Sequence, residues 1–79
     1  MMHFQSLIDT VKERRENLQV NQENLAKVAG VGLRTLKQFE SGKGNPTLQT
    51  VQKIGDVLGL EICLKVKNQL TDETGNDII

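Results

Sequence analysis

Apolar positions in this chain recur at helical spacing four times and then switch to strict alternation. Leu7, Ile8, Val11 and Leu18 are separated by Lys12, Glu13, Arg14, Arg15 and Glu16, which predicts an amphipathic helix over about residues 5–17. A second helix is expected over about 22–29, entered through Asn21, a good N-cap. Leu25 and Ala29 face inward there, Ala26 offers a small side chain where two helices approach, and Val28 is grouped with the core. Gly30 and Val31 make the turn, Gly30 being free to take a positive φ. A third helix is expected over about 33–40, with Leu36 and Phe39 inward. The turn-rich run Ser41-Gly42-Lys43-Gly44-Asn45-Pro46 ends it. Thr47 caps a fourth helix over about 48–58, whose Leu48, Val51, Ile54, Val57 and Leu58 form an apolar stripe. Gly55 inside it costs about 1 kcal/mol relative to alanine, which close packing against another helix would explain. Gly59 suits its C-cap.

The period then changes to two. Leu60, Ile62, Leu64 and Val66 alternate with Glu61, Cys63, Lys65 and Lys67, which predicts a half-buried strand over about 60–67. A lone strand leaves its backbone groups unpaired. Antiparallel pairing with the same strand of a second copy satisfies them and makes Leu60, Ile62, Leu64 and Val66 a homodimer interface. The alternative is that the fourth helix runs on through this segment. Residues 68–79, NQLTDETGNDII, have no periodicity and are expected to form a flexible tail. The 79 residues thus divide into one small domain, 1–67, and the tail 68–79. A core of that size is marginal alone, so a second copy is a natural supplement.

The formal net charge is zero, but it is unevenly spread. Residues 1–67 hold all ten Lys and Arg and seven acids, a net of +3, while the tail holds Asp72, Glu73 and Asp77 and no base. A weakly basic body with an acidic tail is compatible with a nucleic-acid partner. No apolar run approaches the roughly 18 residues of a membrane span, no signal-peptide pattern opens the chain, and the single cysteine, Cys63, has no internal disulfide partner. A cytoplasmic protein with no membrane association is the expectation. His3 is the only histidine, so no metal cluster or catalytic dyad is at hand. No enzyme activity and no cofactor are expected. Phe4 and Phe39 are the only aromatic residues, too few for a platform that stacks single-stranded bases.

Residues 22–41, QENLAKVAGVGLRTLKQFES, have the spacing of a helix-turn-helix: small Ala26, Gly30 four positions on, then Leu36 and Phe39. Residues 7–58 resemble the phage-repressor and Cro type of helix-turn-helix domain, the XRE family, through VKERREN, NQENLAKVAGV, RTLKQFESGKGNP and TLQTVQKIGDVLGL. The added LEICLKVK, and more weakly the opening MMHFQ, resemble the HipB-like antitoxins, whose C-terminal strands pair across a dimer. The implied fold is mainly α: a lambda-repressor-like four-helix DNA-binding domain with one C-terminal β-strand pairing across a dimer. Two residues depart from the family. Gly32 stands where Ser, Thr or Lys usually precedes the recognition helix, and Leu33 stands where a polar base reader is common.

In this motif the second helix of the pair enters the major groove. Leu33, Arg34, Lys37 and Gln38 are then the candidate base contacts, with Arg34 suited to guanine, Gln38 to adenine and Leu33 to a thymine methyl. Gln22, Thr35, Lys43 and Asn45 are the candidate phosphate contacts. The alternative for each is a plain solvated surface residue. The resemblance also implies that Arg15 and Glu40 pair across the first and third helices. The expected function is a dimeric, sequence-specific repressor on a palindromic double-stranded operator, with two recognition helices roughly 34 Å apart. By resemblance it is an antitoxin that represses its own operon and binds a HipA-like kinase toxin. The alternatives are a stand-alone phage-type regulator, or a protein-interaction module that kept the fold and lost DNA binding.

Overall fold

A computed structural model of the chain describes residues 4–64. Four helices follow one another: α1 (Gln5–Asn17), α2 (Gln22–Ala29), α3 (Leu33–Glu40) and α4 (Leu48–Val57). Two of the starts are capped as expected. The Asn21 side chain accepts from the Asn24 N–H at 2.7 Å, and Thr47 Oγ1 accepts from the Thr50 N–H at 3.1 Å. Gly32 stands at the start of α3 and brings no side-chain cap.

The helix ends share one device. The residue after each last turn takes a positive φ, and the next residue's N–H reaches back five positions to the last turn of the helix. These closing bonds are Val20 to Arg15 (3.1 Å), Val31 to Ala26 (3.0 Å), Lys43 to Gln38 (2.9 Å) and Leu60 to Gly55 (2.8 Å). Gly30 (φ 72°) holds the left-handed position between α2 and α3, as its place in the motif requires. After α1 that position is filled by Gln19 (φ 58°), the one non-glycine with positive φ among the described residues. Val20, Val31 and Leu60, the residues that follow, fold their side chains onto the core.

α2 packs on both α3 and α4, and α1 packs on α3. Their shared core is Ile8, Val11, Leu25, Ala26, Leu36, Phe39, Val51, Ile54 and Leu58. Leu25, Leu36, Ile54 and Leu58 are the largest side chains wholly removed from solvent. Each contributes roughly 1.5–3 kcal/mol through apolar burial. Ala26 is buried at the close approach that its small side chain permits.

Several expectations are corrected by the packing. Val28 is 70% exposed and not core, because Leu25 and Ala26 already cover the inner face of this two-turn helix. Leu48 is 77% exposed, since it opens α4 where the helix has left the core. The nearest neighbours of Gly55 belong to the chain beyond α4 and not to another helix. A Cβ there would meet the carbonyl oxygen of Leu60 at 3.3 Å, so the close neighbour is the chain folding back after α4.

α4 ends at Val57, and Gly59 (φ 73°) turns the chain away, which excludes a continuing helix. The strand expected over 60–67 is not formed among the described residues: 60–64 belong to no helix, turn or strand. One chain supplies no second strand for a ladder. Leu60 is also withdrawn from the expected dimer face, because it packs on its own core. Ile62, Cys63 and Leu64 are exposed. Residues 65–67, Val66 of the expected interface, and the tail 68–79 lie outside the described residues.

Candidate nucleic-acid interface

α3 has two sharply different faces. Leu36, Phe39 and Glu40 are buried, while Arg34, Thr35, Lys37 and Gln38 are exposed. Arg34, Lys37 and Gln38 stand three and four residues apart and so share one surface. Two cations and a carboxamide are presented together on a helix whose opposite side is anchored. Leu33 is corrected. It is half-buried and packed against the core, so its surface is divided between the fold and any partner. The Thr35 hydroxyl lies back toward the helix start, 3.6 Å from where a Cβ on Gly32 would sit.

The angle of α3 is set by a buried polar cluster. Glu40 is only 5% exposed and accepts from Arg15 Nε through Oε2 at 2.8 Å and from Arg15 Nη2 through Oε1 at 2.9 Å. The fork is planar and bidentate, the strongest form of such a pair. Arg15 Nη1 donates to the Val20 carbonyl at 2.9 Å. Glu40 Oε1 also accepts from Gln22 Nε2 at 3.2 Å. One carboxylate therefore ties α1, the start of α2 and the end of α3 together. No buried side-chain polar atom among the described residues lacks a partner. The hydrogen bond to Glu40 holds the Arg15 guanidinium above its ordinary pKa, against a smaller opposing effect of burial.

This cluster redefines Gln22. Its amide nitrogen is committed to Glu40, leaving its side-chain oxygen and the N–H groups of Gln22 and Glu23 for other use, since Asn21 caps that of Asn24. Gln22 and Lys37 line one shallow polar cleft of about 250 Å3 with Asn21 and Glu23. The structure thus brings one expected phosphate residue beside one expected base reader.

Gln38 lies against the loop that follows α3: a Cβ at Gly44 would meet Gln38 Oε1 at 3.6 Å. Lys43 and Asn45 are exposed but line a different feature, an apolar groove shared with Phe39, Pro46 and Leu48.

One positioning residue is not legible from periodicity. Arg14 Nε donates to the Leu58 carbonyl at 2.8 Å, fastening α1 to the end of α4 across 44 positions of chain. A hydrophilic residue on an amphipathic helix gives no sign in sequence of a carbonyl so far along the chain.

Four helices with a two-helix reading unit held on a scaffold define the helix-turn-helix class. A helix-turn-helix family model matches residues 11–64, and the chain belongs to that family, in its XRE-type branch of DNA-binding regulators. It is 34% identical over 67 residues to the cryptic phage CTXphi transcriptional repressor RstR of Vibrio cholerae serotype O1, covering 80% of this chain and 60% of that one. A second RstR of Vibrio cholerae is 32% identical, covering 78% and 56%. The chain therefore spans less than two thirds of the length of these curated relatives. Two solved structures are similar, each with a TM-score of 0.75 and 29% identity over 86% of this chain and 96% of the other. One is described as MDT protein, the other as the structure of a HipA-HipB-O2-O3 complex. No helix among the described residues is long and apolar enough to cross a membrane.

Proposed function

We propose that this protein is a sequence-specific, double-stranded-DNA-binding transcriptional repressor that works as a homodimer on a palindromic operator. The observation that carries the reading is the exposed set Arg34, Lys37 and Gln38 on a helix locked from behind by Leu36, Phe39 and Glu40. Arg34 makes the bidentate contact to guanine, Gln38 pairs with adenine, and Lys37 reaches a guanine or a phosphate. Gln22 offers a phosphate its backbone N–H and carboxamide oxygen. Thr35, Lys43 and Asn45 are the further phosphate contacts, which set register and affinity without reading sequence. Leu33 contributes at most its outer edge, to a thymine methyl. The similarity to named phage repressors supports the same reading.

The test is a binding titration on the DNA upstream of its own gene, against an unrelated duplex, over a range of salt. The expected outcome is selective binding that weakens steeply as salt rises. No specific binding, with no salt dependence beyond background, would defeat the repressor and favour a protein-interaction module.

The finer reading is an antitoxin that represses its own operon and binds a HipA-like kinase toxin. It is favoured by the likeness to a protein solved as a HipA-HipB-O2-O3 complex. The stand-alone regulator is favoured by the likeness to the phage repressors. Co-expression with a kinase encoded beside the gene separates them: a complex that co-purifies and shields cells from the kinase supports the antitoxin, and its absence supports the regulator.

A further inference from the structure

The last turn of α3 is laced to the loop that follows it, and Gln38 is the residue where the two meet. The Gln38 carbonyl accepts twice, from the Ser41 hydroxyl at 2.9 Å and from the Lys43 N–H at 2.9 Å. On either side of it, the Ser41 N–H donates to the Lys37 carbonyl at 3.0 Å and the Gly42 N–H to the Phe39 carbonyl at 3.1 Å. Gly42 and Gly44, both with φ 80°, then turn the loop back toward the helix it has left. A Cβ at Gly44 would lie 3.6 Å from Gln38 Oε1 and 3.7 Å from Gln38 Cβ. Root and tip of the glutamine side chain are therefore both beside one point of the loop backbone. Neither distance is a clash, so the bare glycine leaves a slot with room for about a methyl group between loop and side chain. Gln38 itself stays exposed, on the same surface as Arg34 and Lys37.

We propose that Gly44 is a positioning residue for base reading: its bare backbone lays out the Gln38 side chain before DNA arrives. The inference rests on the reading of Gln38 as a base contact and says what holds it there. An exposed glutamine samples many rotamers, and stilling one on binding weakens a complex roughly 2- to 10-fold. A side chain already laid along the loop avoids most of that cost. A carboxamide is also directional, because its oxygen and nitrogen must meet an adenine edge together to make the bidentate pair. Ordering Gln38 therefore bears on the choice of base as well as on affinity. The two bonds to the Gln38 carbonyl keep the loop from drifting off the side chain, and one of them comes from Lys43. A phosphate held by the Lys43 ammonium then bears on the same turn that carries Gln38, so backbone contact and base contact act as one unit. Glycine serves twice at position 44, once for the left-handed backbone and once for the open slot. Asparagine separates the two, since it tolerates the left-handed region while its amide crowds the slot.

Binding of wild type, Gln38→Ala, Gly44→Asn and the double variant to the operator and its single-base variants tests this. Far-ultraviolet circular dichroism checks folding. Gln38→Ala is expected to lose its preference at one position in each half-site. Gly44→Asn is expected to lose roughly 3- to 10-fold of the preference at that same position and to keep the others. In the Gln38→Ala background it is expected to add nothing there, because residues that act through one contact are not additive. A Gly44→Asn protein that weakens every site evenly, with base preference intact, would overturn the positioning role and leave the repressor reading standing. Wild-type protein with no preference at any base would overturn the repressor reading, and Gln38→Ala with full discrimination would overturn the base contact on which the inference rests. A measurement on the free wild type depends on neither DNA nor a folded variant. Nuclear Overhauser effects are expected between the Gln38 side-chain amide protons and the Gly44 α protons, with amide-nitrogen relaxation of the side chain close to that of the α3 backbone. A Gln38 carboxamide that rotates freely would overturn the proposal whatever the variants do.

Discussion

Glu40 meets Arg15 through both carboxylate oxygens, at 2.8 and 2.9 Å, across 25 positions of sequence. The pair joins α3, which exposes Arg34, Lys37 and Gln38, to the first helix of the bundle, and Gln22 is drawn into it at the start of α2. The same carboxylate thus fastens α2 and α3 to α1. Its bonds are made inside the bundle, to Arg15 and Gln22.

Glu40→Ala is expected to lower stability by about 3–5 kcal/mol, because it leaves a guanidinium in a nearly closed site without its partner. Chemical denaturation measures the loss. Among variant operators, the order of preference of whatever protein remains folded should be unchanged. A changed base preference would contradict the structural role. The Arg15 pKa is raised in the fold, so its contribution is complete below the ordinary arginine value and is lost only as pH climbs through the still higher folded value. The guanidinium therefore adds no pH dependence to stability near neutrality.

Gly32→Ser is expected to stabilise. Residue 32 has φ −68° and ψ 142°, which serine adopts freely and which an N-cap requires. A Cβ there meets only Thr35 Oγ1, at an ordinary 3.6 Å. The added cap and the stiffer unfolded chain together contribute about 0.5–1.5 kcal/mol. A rise in the thermal midpoint checks it, and a fall would show that α3 needs glycine at its entry.

Gln19→Gly is expected to stabilise by about 0.5–1 kcal/mol, because a left-handed backbone strains any residue with a Cβ. Denaturant titration beside the wild type measures it. No gain would mean that the glutamine side chain offsets the strain.

Arg14→Gln is expected to cost about 1–1.5 kcal/mol through loss of the hydrogen bond to the Leu58 carbonyl. Hydrogen exchange should then quicken at the end of α4 more than in α3. Uniform quickening would show that the contact has no local role.

The four helices and two of their caps were legible because each signal is local: an apolar residue every third or fourth position, and Asn21 or Thr47 just before the run. The extent of the core was not. Period alone gave Val28 and Leu48 the same inward standing as Leu25 and Val51, yet a two-turn helix needs only two large contacts, and a helix's first residue can lie beyond its neighbours. Gly55 was read as a helix contact because nothing near it in sequence marks the chain's return at Leu60. Leu33 shows the same limit within the site. Its helix position was legible, but its partial burial depends on packing by the rest of the bundle. The exposure of Arg34, Lys37 and Gln38 was legible since they lie opposite Leu36 and Phe39 on one helix. Arg15 and Glu40 came from the family's pattern, as no local rule joins residues 25 apart.

The central claim is that α3 reads bases through Arg34. The most direct measurement is the affinity of wild type and Arg34→Ala for the operator and for a set of single-base variants, at one fixed salt concentration. The account predicts that Arg34→Ala loses about 1–3 kcal/mol on the operator and becomes indifferent to one guanine position in each half-site, while non-specific binding changes little. A variant that keeps full discrimination at every position, or wild-type protein that shows none, would contradict it.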